Sequence, residues 1–448
     1  MSEINISFNV SGVFPKIYSL TVCKISYIFG DLSKRKLYFC QYSKKNRLMR
    51  RIILTLIVLL GIVASVSSES VVVGDSAEIS LITCSPGPAA YEKFGHTALR
   101  YVDFASGLDL VFNYGIFDFD QPGFYYKFVK GETYYMLGVY KTSQFLPQYT
   151  ERNSQVTEQV LNLSKQEKQQ LLDALFVNYL PANRNYLYNF VFDNCATRPR
   201  DKVLELFRGK HILYNISEDN RSFREWVAAY TGDKSWLMFG IDLVFGKDAD
   251  RIASKWETMF LPEVLSKELS EVLVVDNDSV TRTLFKSESI IVPKTHETEW
   301  VNYLKLPLVA TTFILLVGLL LTIFEYKKKK YFKLIDSLLL IITGLAGMVI
   351  FFLMFFSIHP LVKTNFNILW CNPLNIIPGI LLWIRKTAKI VSVWQMVNII
   401  LFLAVLVVGA MAFQILNMAF IPIIILMLIR AFWWLQNRRN LGPASPFD

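Results

Sequence analysis

Two short runs in the middle of the 448-residue chain hold the types needed for a nucleophile and its base. Cys195 lies in Phe192-Asp193-Asn194-Cys195-Ala196-Thr197-Arg198, at the head of a predicted helix. The free N–H groups and the dipole of a helix N-terminus favour a thiolate, and Arg198 and Arg200 would add to that field. His96 lies in Phe94-Gly95-His96-Thr97-Ala98-Leu99-Arg100, at the head of a predicted strand. A thiolate beside an imidazole is an activated nucleophile, and a third polar group orients the base. Asn113, on the strand expected to pair with that of His96, is the candidate for this third role, because side chains alternate between the two faces of a sheet. Two other readings of Cys195 stay open on spacing alone: a buried structural thiol, and a disulfide to Cys84 in an oxidising compartment. The five cysteines (Cys23, Cys40, Cys84, Cys195, Cys371) form no disulfide scaffold, since only Cys84 and Cys195 fall in the middle region. The four histidines and the cysteine spacing make no zinc site, so no metal or cofactor is expected, and His211 reads as ordinary.

These residues need a frame. Residues 76–84 alternate as a strand does, and Ser85-Pro86-Gly87-Pro88 ends it. Phe94–Asp103 and Leu108–Tyr114 flank Ala105-Ser106-Gly107 as a hairpin, and Gly131–Tyr140 reads as a further strand. Ser164, with Glu167 three residues on, forms a capping box that opens a helix with Leu171, Leu172, Leu175, Phe176 and Tyr179 on its apolar face. A second helix begins near Cys195, buries Val203, Leu204, Leu206 and Phe207, and is capped by Gly209. Pro199 fits it only near the first turn, where N–H groups are unpaired anyway. Residues 217–230 suggest a third helix, and 271–275 with 283–292 a late hairpin. Strands and helices in no strict alternation specify an α+β domain.

The formal net charge of +10 is spread unevenly. Residues 1–51 carry a net +8 and residues 301–448 a net +10, whereas residues 52–300 hold 24 basic and 32 acidic residues. An acidic middle argues against nucleic acid, which needs clustered Lys and Arg. The basic clusters flank apolar runs, as membrane topology requires. Met49-Arg50-Arg51 precede Ile52–Ala64, a 13-residue apolar run with small residues after it, in the order of a secretory signal. Either translation starts at Met49, or residues 1–48 form a basic cytosolic leader and 52–66 an uncleaved anchor. Both readings put residue 70 onward outside. Apolar stretches at about 304–324, 335–357, 369–384, 390–412 and 416–434 suggest an all-α bundle of about five spanning helices. The third is short and contains Pro373 and Pro378. Lys327–Lys330 with Lys333, then Arg385, Lys386 and Lys389, then Arg438 and Arg439 put positive charge in alternate connections, which makes those cytosolic. The loop 358–368, with His359, is then external. The expected organisation is a leader over 1–48, a signal or anchor over 49–69, an extracytoplasmic domain over 70–300 and a transmembrane domain over 301–440.

The runs around His96 and Cys195, Phe112-Asn113-Tyr114-Gly115, and the membrane motifs His359-Pro360 and Trp370-Cys371-Asn372-Pro373 resemble the Bacteroidota-type lipoprotein N-acyltransferases over about residues 75–440. The order His, Asn, Cys is that of a circularly permuted papain-like fold and is similar to the lecithin retinol acyltransferase superfamily. Members of that superfamily usually have His where Asn113 stands; Asn orients a base but brings no charge. The resemblance implies a multi-pass protein of the inner membrane with its catalytic domain in the periplasm. It implies Cys195 as nucleophile, His96 as base and Asn113 as orienting group, with Asn194, Arg198 and His359 supporting substrate or oxyanion. The acyl donor would be a membrane phospholipid, and the acceptor the N-terminal amine of a diacylglyceryl-cysteine lipoprotein. Two alternatives stand beside it: a membrane-tethered papain-like cell-wall amidase or peptidase, and a non-catalytic envelope scaffold or sensor. Five membrane helices are more than a tether needs.

Overall fold

A computed structural model describes residues 71–208, 211–213, 219–276, 280–295 and 306–437. The leader, the apolar run 52–64, Gly209, His296 and Arg438–Arg439 lie outside the described residues. In chain order come β1 (Ala77–Cys84), β2 (His96–Asp103), β3 (Leu108–Ile116), α1 (Phe124–Lys130), β4 (Tyr134–Lys141), β5 (Val156–Leu161), α2 (Lys165–Tyr179), β6 (Asn185–Leu187) and α3 (Thr197–Glu205). They are followed by β7 (His211–Leu213), α4 (Phe223–Thr231), α5 (Trp236–Val244), α6 (Pro262–Ser270), β8 (Leu273–Asp276), β9 (Val280–Thr283) and β10 (Phe285–Val292).

The main sheet is antiparallel and seven-stranded, in the order β10-β5-β1-β2-β3-β4-β6. Its two faces follow from the period of two along each strand. Ile82, Cys84, Ala98, Val111 and Val156 point one way, under Phe145 and Tyr149 from the helical turns Thr142–Phe145 and Pro147–Glu151. Leu81, Leu99 and Phe112 are buried on the other face, where Phe176 of α2 meets Phe112 edge-on at 5.3 Å. The capping box at Ser164 is formed in both directions, since the Ser164 hydroxyl accepts from the Glu167 N–H and the Glu167 carboxylate from the Ser164 N–H. The late hairpin needs correcting. β8 pairs with β9 in a separate three-stranded sheet β7-β8-β9, while β10 leaves to become the edge of the main sheet against β5.

The five apolar stretches take two forms. Among the described residues, four helices are long and apolar enough to cross a membrane: α7 (Pro307–Lys328), α8 (Lys333–Phe355), and the spans Arg385–Ala410 and Met418–Asn437. The third apolar stretch is instead a broken passage of 3-10 turns, Phe366–Leu369 and Pro373–Asn375, and a short α9 (Ile376–Leu381). The last two spans are built on α10 (Ala388–Ala410) and α11 (Ile421–Asn437). Pro373 and Pro378 remove backbone donors where a regular helix would need them. Irregular backbone at such depth must be buried in protein. Gly344 and Gly347 of α8 allow that, because a Cβ at Gly347 would fall inside the radius of the Cys371 carbonyl oxygen. Freed polar groups are bound locally: Ser337 Oγ donates to the Gly379 carbonyl at 2.7 Å and Trp394 Nε1 to Asn375 Oδ1 at 2.9 Å. Near the basic end of the bundle, Arg430 of α11 holds Glu325 of α7 and Asp336 of α8, each at 2.6 Å, and so clamps three helices together.

The sheet domain is bonded to this block through a polar seam. Arg224 of α4 is buried and donates to Asp242 at 2.6 Å and to Asp250 at 2.5 Å. From the membrane side, Asn417 Nδ2 donates to the second oxygen of Asp242 at 2.7 Å, and the Ile415 N–H to Asp250 at 3.0 Å. The last carbonyls of α5, which have no partner within the helix, accept from Asn365 and Asn367 of the external loop at 2.9 Å each. Backbone bonds Gly246 N–H to Leu361 and Lys247 N–H to Thr364 complete the junction. Removing one partner of a buried ion cluster leaves uncompensated charge and costs about 3–5 kcal/mol. Arg224→Met should therefore lower the thermal unfolding temperature in detergent sharply, and adding Asp242→Asn should recover part of the loss. Equal unfolding temperatures for wild type and Arg224→Met would show that the seam carries no stability.

Candidate active site

His96 opens β2, and Cys84 of β1 is its register partner. β2 and β3 pair from Asp103–Leu108 to Leu99–Phe112, and the pairing of β3 with β4 then slips between Asn113 and Ile116. Such a bulge re-aims side chains. It needs the left-handed φ of +92° that Gly115 supplies. Asn113, turned toward the end of β2, accepts from His96 Nε2 at 2.6 Å. An amide oxygen only accepts, so Nε2 carries the hydrogen and Nδ1 is left as the basic nitrogen. Cys195 arrives from the other side, two residues before α3. Both side chains flank Gly115: a methyl built there would lie 3.3 Å from Cys195 Cβ and 3.7 Å from His96 Cε1. Both His96 and Cys195 stay partly open to solvent.

Burial governs the electrostatics. It pushes the Cys195 thiol up to about 11, although the backbone N–H groups of Thr97 and of Cys195 itself point at the sulfur and pull the other way. Burial likewise pulls His96 down to about 4, against the bond it donates to Asn113, and the nearby Arg152 guanidinium acts in the same direction as burial. The resting pair is thus a neutral thiol beside a neutral imidazole. A wall of tyrosines surrounds it. Tyr135 stacks on Tyr188 at 4.0 Å, and burial raises both phenols, with the Cys195 sulfur adding to the shift. The Tyr186 hydroxyl would sit 4.0 Å from that same methyl on Gly115 and has no hydrogen-bond partner among the described residues.

Three expected supporting residues have other occupations. Asn194 caps the helix entrance: its Oδ1 accepts from the N–H groups of Ala196 and Thr197, and its Nδ2 donates to the Phe190 and Phe260 carbonyls at 2.7 and 2.9 Å. Both amide hydrogens are used, which leaves none for an oxyanion. Arg198 is neutralised by a two-pronged pair with Asp193 at 2.6 and 2.8 Å and lies flat over the Tyr186 ring at 3.6 Å. It therefore steadies the tyrosine, where a field on Cys195 was expected. His359 donates from Nε2 to the Phe128 carbonyl of α1 at 2.8 Å, so it ties the external loop to the domain. Pro199 stands third in α3, as its missing N–H requires. Cys84, Cys195 and Cys371 are free thiols, so the Cys84–Cys195 bridge is absent; Cys84 faces Tyr149, and burial lifts its thiol to about 12. Sequence reasoning missed Tyr135, Tyr186 and Tyr188. Their only signal is aromatic alternation, which a core strand shares.

Comparison with known families places these residues in a described domain. Residues 69–216, which hold His96, Asn113 and Cys195, match the model described as the Lnb N-terminal periplasmic domain, and residues 297–440 match the Lnb transmembrane domain. The chain belongs to the Lnb family. The two Lnb models cover more than half of it and agree with the lipoprotein N-acyltransferase resemblance of its motifs. It is a membrane protein with a periplasmic domain, and the Lnb family is one of membrane-associated periplasmic enzymes. No curated relative and no solved structure matches the chain. Neither Lnb model spans residues 217–296, the stretch that contributes Arg224 and Asp242 to the seam.

A raised thiol gives a direct test. Alkylation by iodoacetamide needs thiolate, so labelling of Cys195 should quicken by roughly tenfold per pH unit up to about pH 10, where an ordinary thiol levels off near about 8.5. Peptide mass spectrometry across pH reads the rate. A plateau reached below about pH 8 would mean that the resting protein holds a thiolate–imidazolium pair.

Proposed function

We propose that this protein is a lipoprotein N-acyltransferase of the inner membrane, working through a thioester on Cys195. The observation that carries the reading is that Cys195 and His96 flank the same residue, Gly115, with the imidazole fixed by Asn113. Cys195 Sγ attacks an ester carbonyl of a phospholipid while His96 Nδ1 takes the thiol proton, so a C–S bond forms as the S–H bond breaks. The Tyr186 hydroxyl and the Cys195 N–H are the donors for the oxyanion. Collapse breaks the C–O bond, and the imidazolium returns its proton to the departing lysophospholipid oxygen. The N-terminal amine of a diacylglyceryl-cysteine lipoprotein then attacks the thioester. His96 removes the amine proton, a C–N bond forms, the C–S bond breaks, and the proton goes back to sulfur. Dividing the reaction spares the amine a direct attack on a weakly activated ester.

The papain-like amidase reading uses the same pair with water as acceptor. One experiment separates the two. Purified protein incubated with a defined phospholipid should gain the mass of one acyl chain, and Cys195→Ala should not. An adduct that persists in Cys195→Ala would sink the thioester, and cleavage of stem peptides without any adduct would favour the amidase. Loss of one oxyanion donor costs about a hundredfold or more in turnover. Tyr186→Phe should therefore lower kcat by about that much while KM and the alkylation rate of Cys195 stay as in wild type. An unchanged kcat would remove Tyr186 from the chemistry.

A further inference from the structure

The loop after β3 and helix α1 carry a set of rings that the catalytic pair does not use. Phe117 meets Phe119 at 4.6 Å and Phe124 at 5.9 Å, and Phe124 stacks on Phe128 at 6.0 Å. At one end of this row Phe117 contacts Tyr135 at 4.9 Å, the ring stacked on Tyr188 beside Cys195. At the other end Phe128 contacts His359 at 6.2 Å, and Tyr126 contacts Phe352, near the external end of α8, at 5.9 Å. Hydrogen bonds fix α1 at that level: the Ile358 N–H and Ser357 Oγ donate to the Lys130 carbonyl at 2.8 and 3.2 Å. The row thus runs from the nucleophile to the rim of the membrane block.

Its outer end is bare. Tyr125, Tyr126 and Phe128 are 74%, 60% and 46% exposed, and Phe355 and Phe356 at the end of α8 are exposed next to them in the same region. An apolar face of this kind marks a binding surface. Aromatic side chains at the level of helix ends are suited to the lipid interface. The exposed Lys127 of α1 supplies a cation at the height of lipid phosphates. We propose that α1 is seated in the bilayer interface, and that the aromatic row is the path along which one acyl chain of a phospholipid leaves the bilayer for Cys195. The chemistry at the end of the path rests on the acyl-transfer reading; the lipid contact along it does not.

The test separates the two. Full-length Cys195→Ala protein is reconstituted in phosphatidylethanolamine vesicles containing a phospholipid with a diazirine in its acyl chain, irradiated and digested. Adducts on residues 117–128, beside those on the spanning helices, are the expected result; adducts on the spanning helices alone would overturn the path. This arm needs no catalysis. A second arm compares wild type with Phe119→Ser, Tyr126→Ser, Phe128→Ser combined. Acyl-adduct formation from vesicle phospholipid should fall about tenfold further than formation from a water-soluble short-chain thioester. An equal fall with both donors would overturn the path. Failure of wild type to take an acyl group from any donor would sink the acyl-transfer reading, and the cross-linking arm would still decide the lipid contact.

Discussion

The buried Arg224 cluster is the constraint on which the rest of the molecule depends. One guanidinium faces two carboxylates, Asp242 and Asp250, and the surplus negative charge is met by the Asn417 amide and the Ile415 N–H from the membrane block. Burial pushes the Asp242 carboxyl up, and Arg224 is the main counterweight. Such a cluster contributes little net stability against an apolar alternative, yet it tolerates only one docking geometry. Every partner must be present for the charges to be compensated. Because half of the partners come from the loops between spanning helices, the sheet domain is held at one height and one tilt over the bundle. The position of Cys195 relative to lipid follows from that.

The seam bears on how a largely buried catalytic pocket is workable. A thiol raised to about 11 and an imidazole lowered to about 4 make a poor resting nucleophile in water. On the acyl-transfer reading, a substrate drawn from a bilayer arrives without water, and the proton passes from sulfur to His96 as the carbonyl is attacked. On the acyl-transfer reading the same tyrosine wall protects the thioester. Water competes with the lipoprotein amine for that intermediate, and stacked rings such as Tyr135 and Tyr188 leave it little room.

How much of this was legible in the sequence depends on how local each cause is. The pairing of His96 with Asn113 follows from strand alternation and one short hairpin, and both residues stood out before any coordinates. Cys195 was legible because a helix start announces itself, and Pro199 marked that start to within a turn. The role of Asn194 was not, since the carbonyl of Phe260 that binds it lies 66 residues away in the chain. Arg198 was misjudged because charge counting ignores Asp193, which cancels it. Tyr186 was invisible because an aromatic in a strand looks the same whether it fills a core or faces a nucleophile. In the membrane block, charge alternation placed the His359 loop outside, and the loop does bond to α1. The broken third passage was hinted at by Pro373 and Pro378. What makes it possible is Gly344 and Gly347 on a neighbouring helix, and hydropathy cannot see that neighbour.

Two buried ion clusters therefore bracket the membrane block. Arg430 with Glu325 and Asp336 fixes three helices at the basic end, and the Arg224 cluster fixes the external loops to the domain at the other. Between them the broken passage is pinned by hydrogen bonds from Ser337, Trp394 and Asn375. Opening the frame at either cluster would leave charge unpaired in lipid, at a cost of several kcal/mol. On the proposed reading, a bilayer-borne substrate reaches the site around the frame, at the domain rim. There α1 is held to the loop mainly through backbone carbonyls at its own C-terminal end, and its side chains are the ones left uncovered. The bonding of the bundle and the bareness of α1 are two sides of one arrangement: the polar bonds that fix the domain on the bundle leave the aromatic side chains of α1 uncovered, the surface proposed to meet lipid.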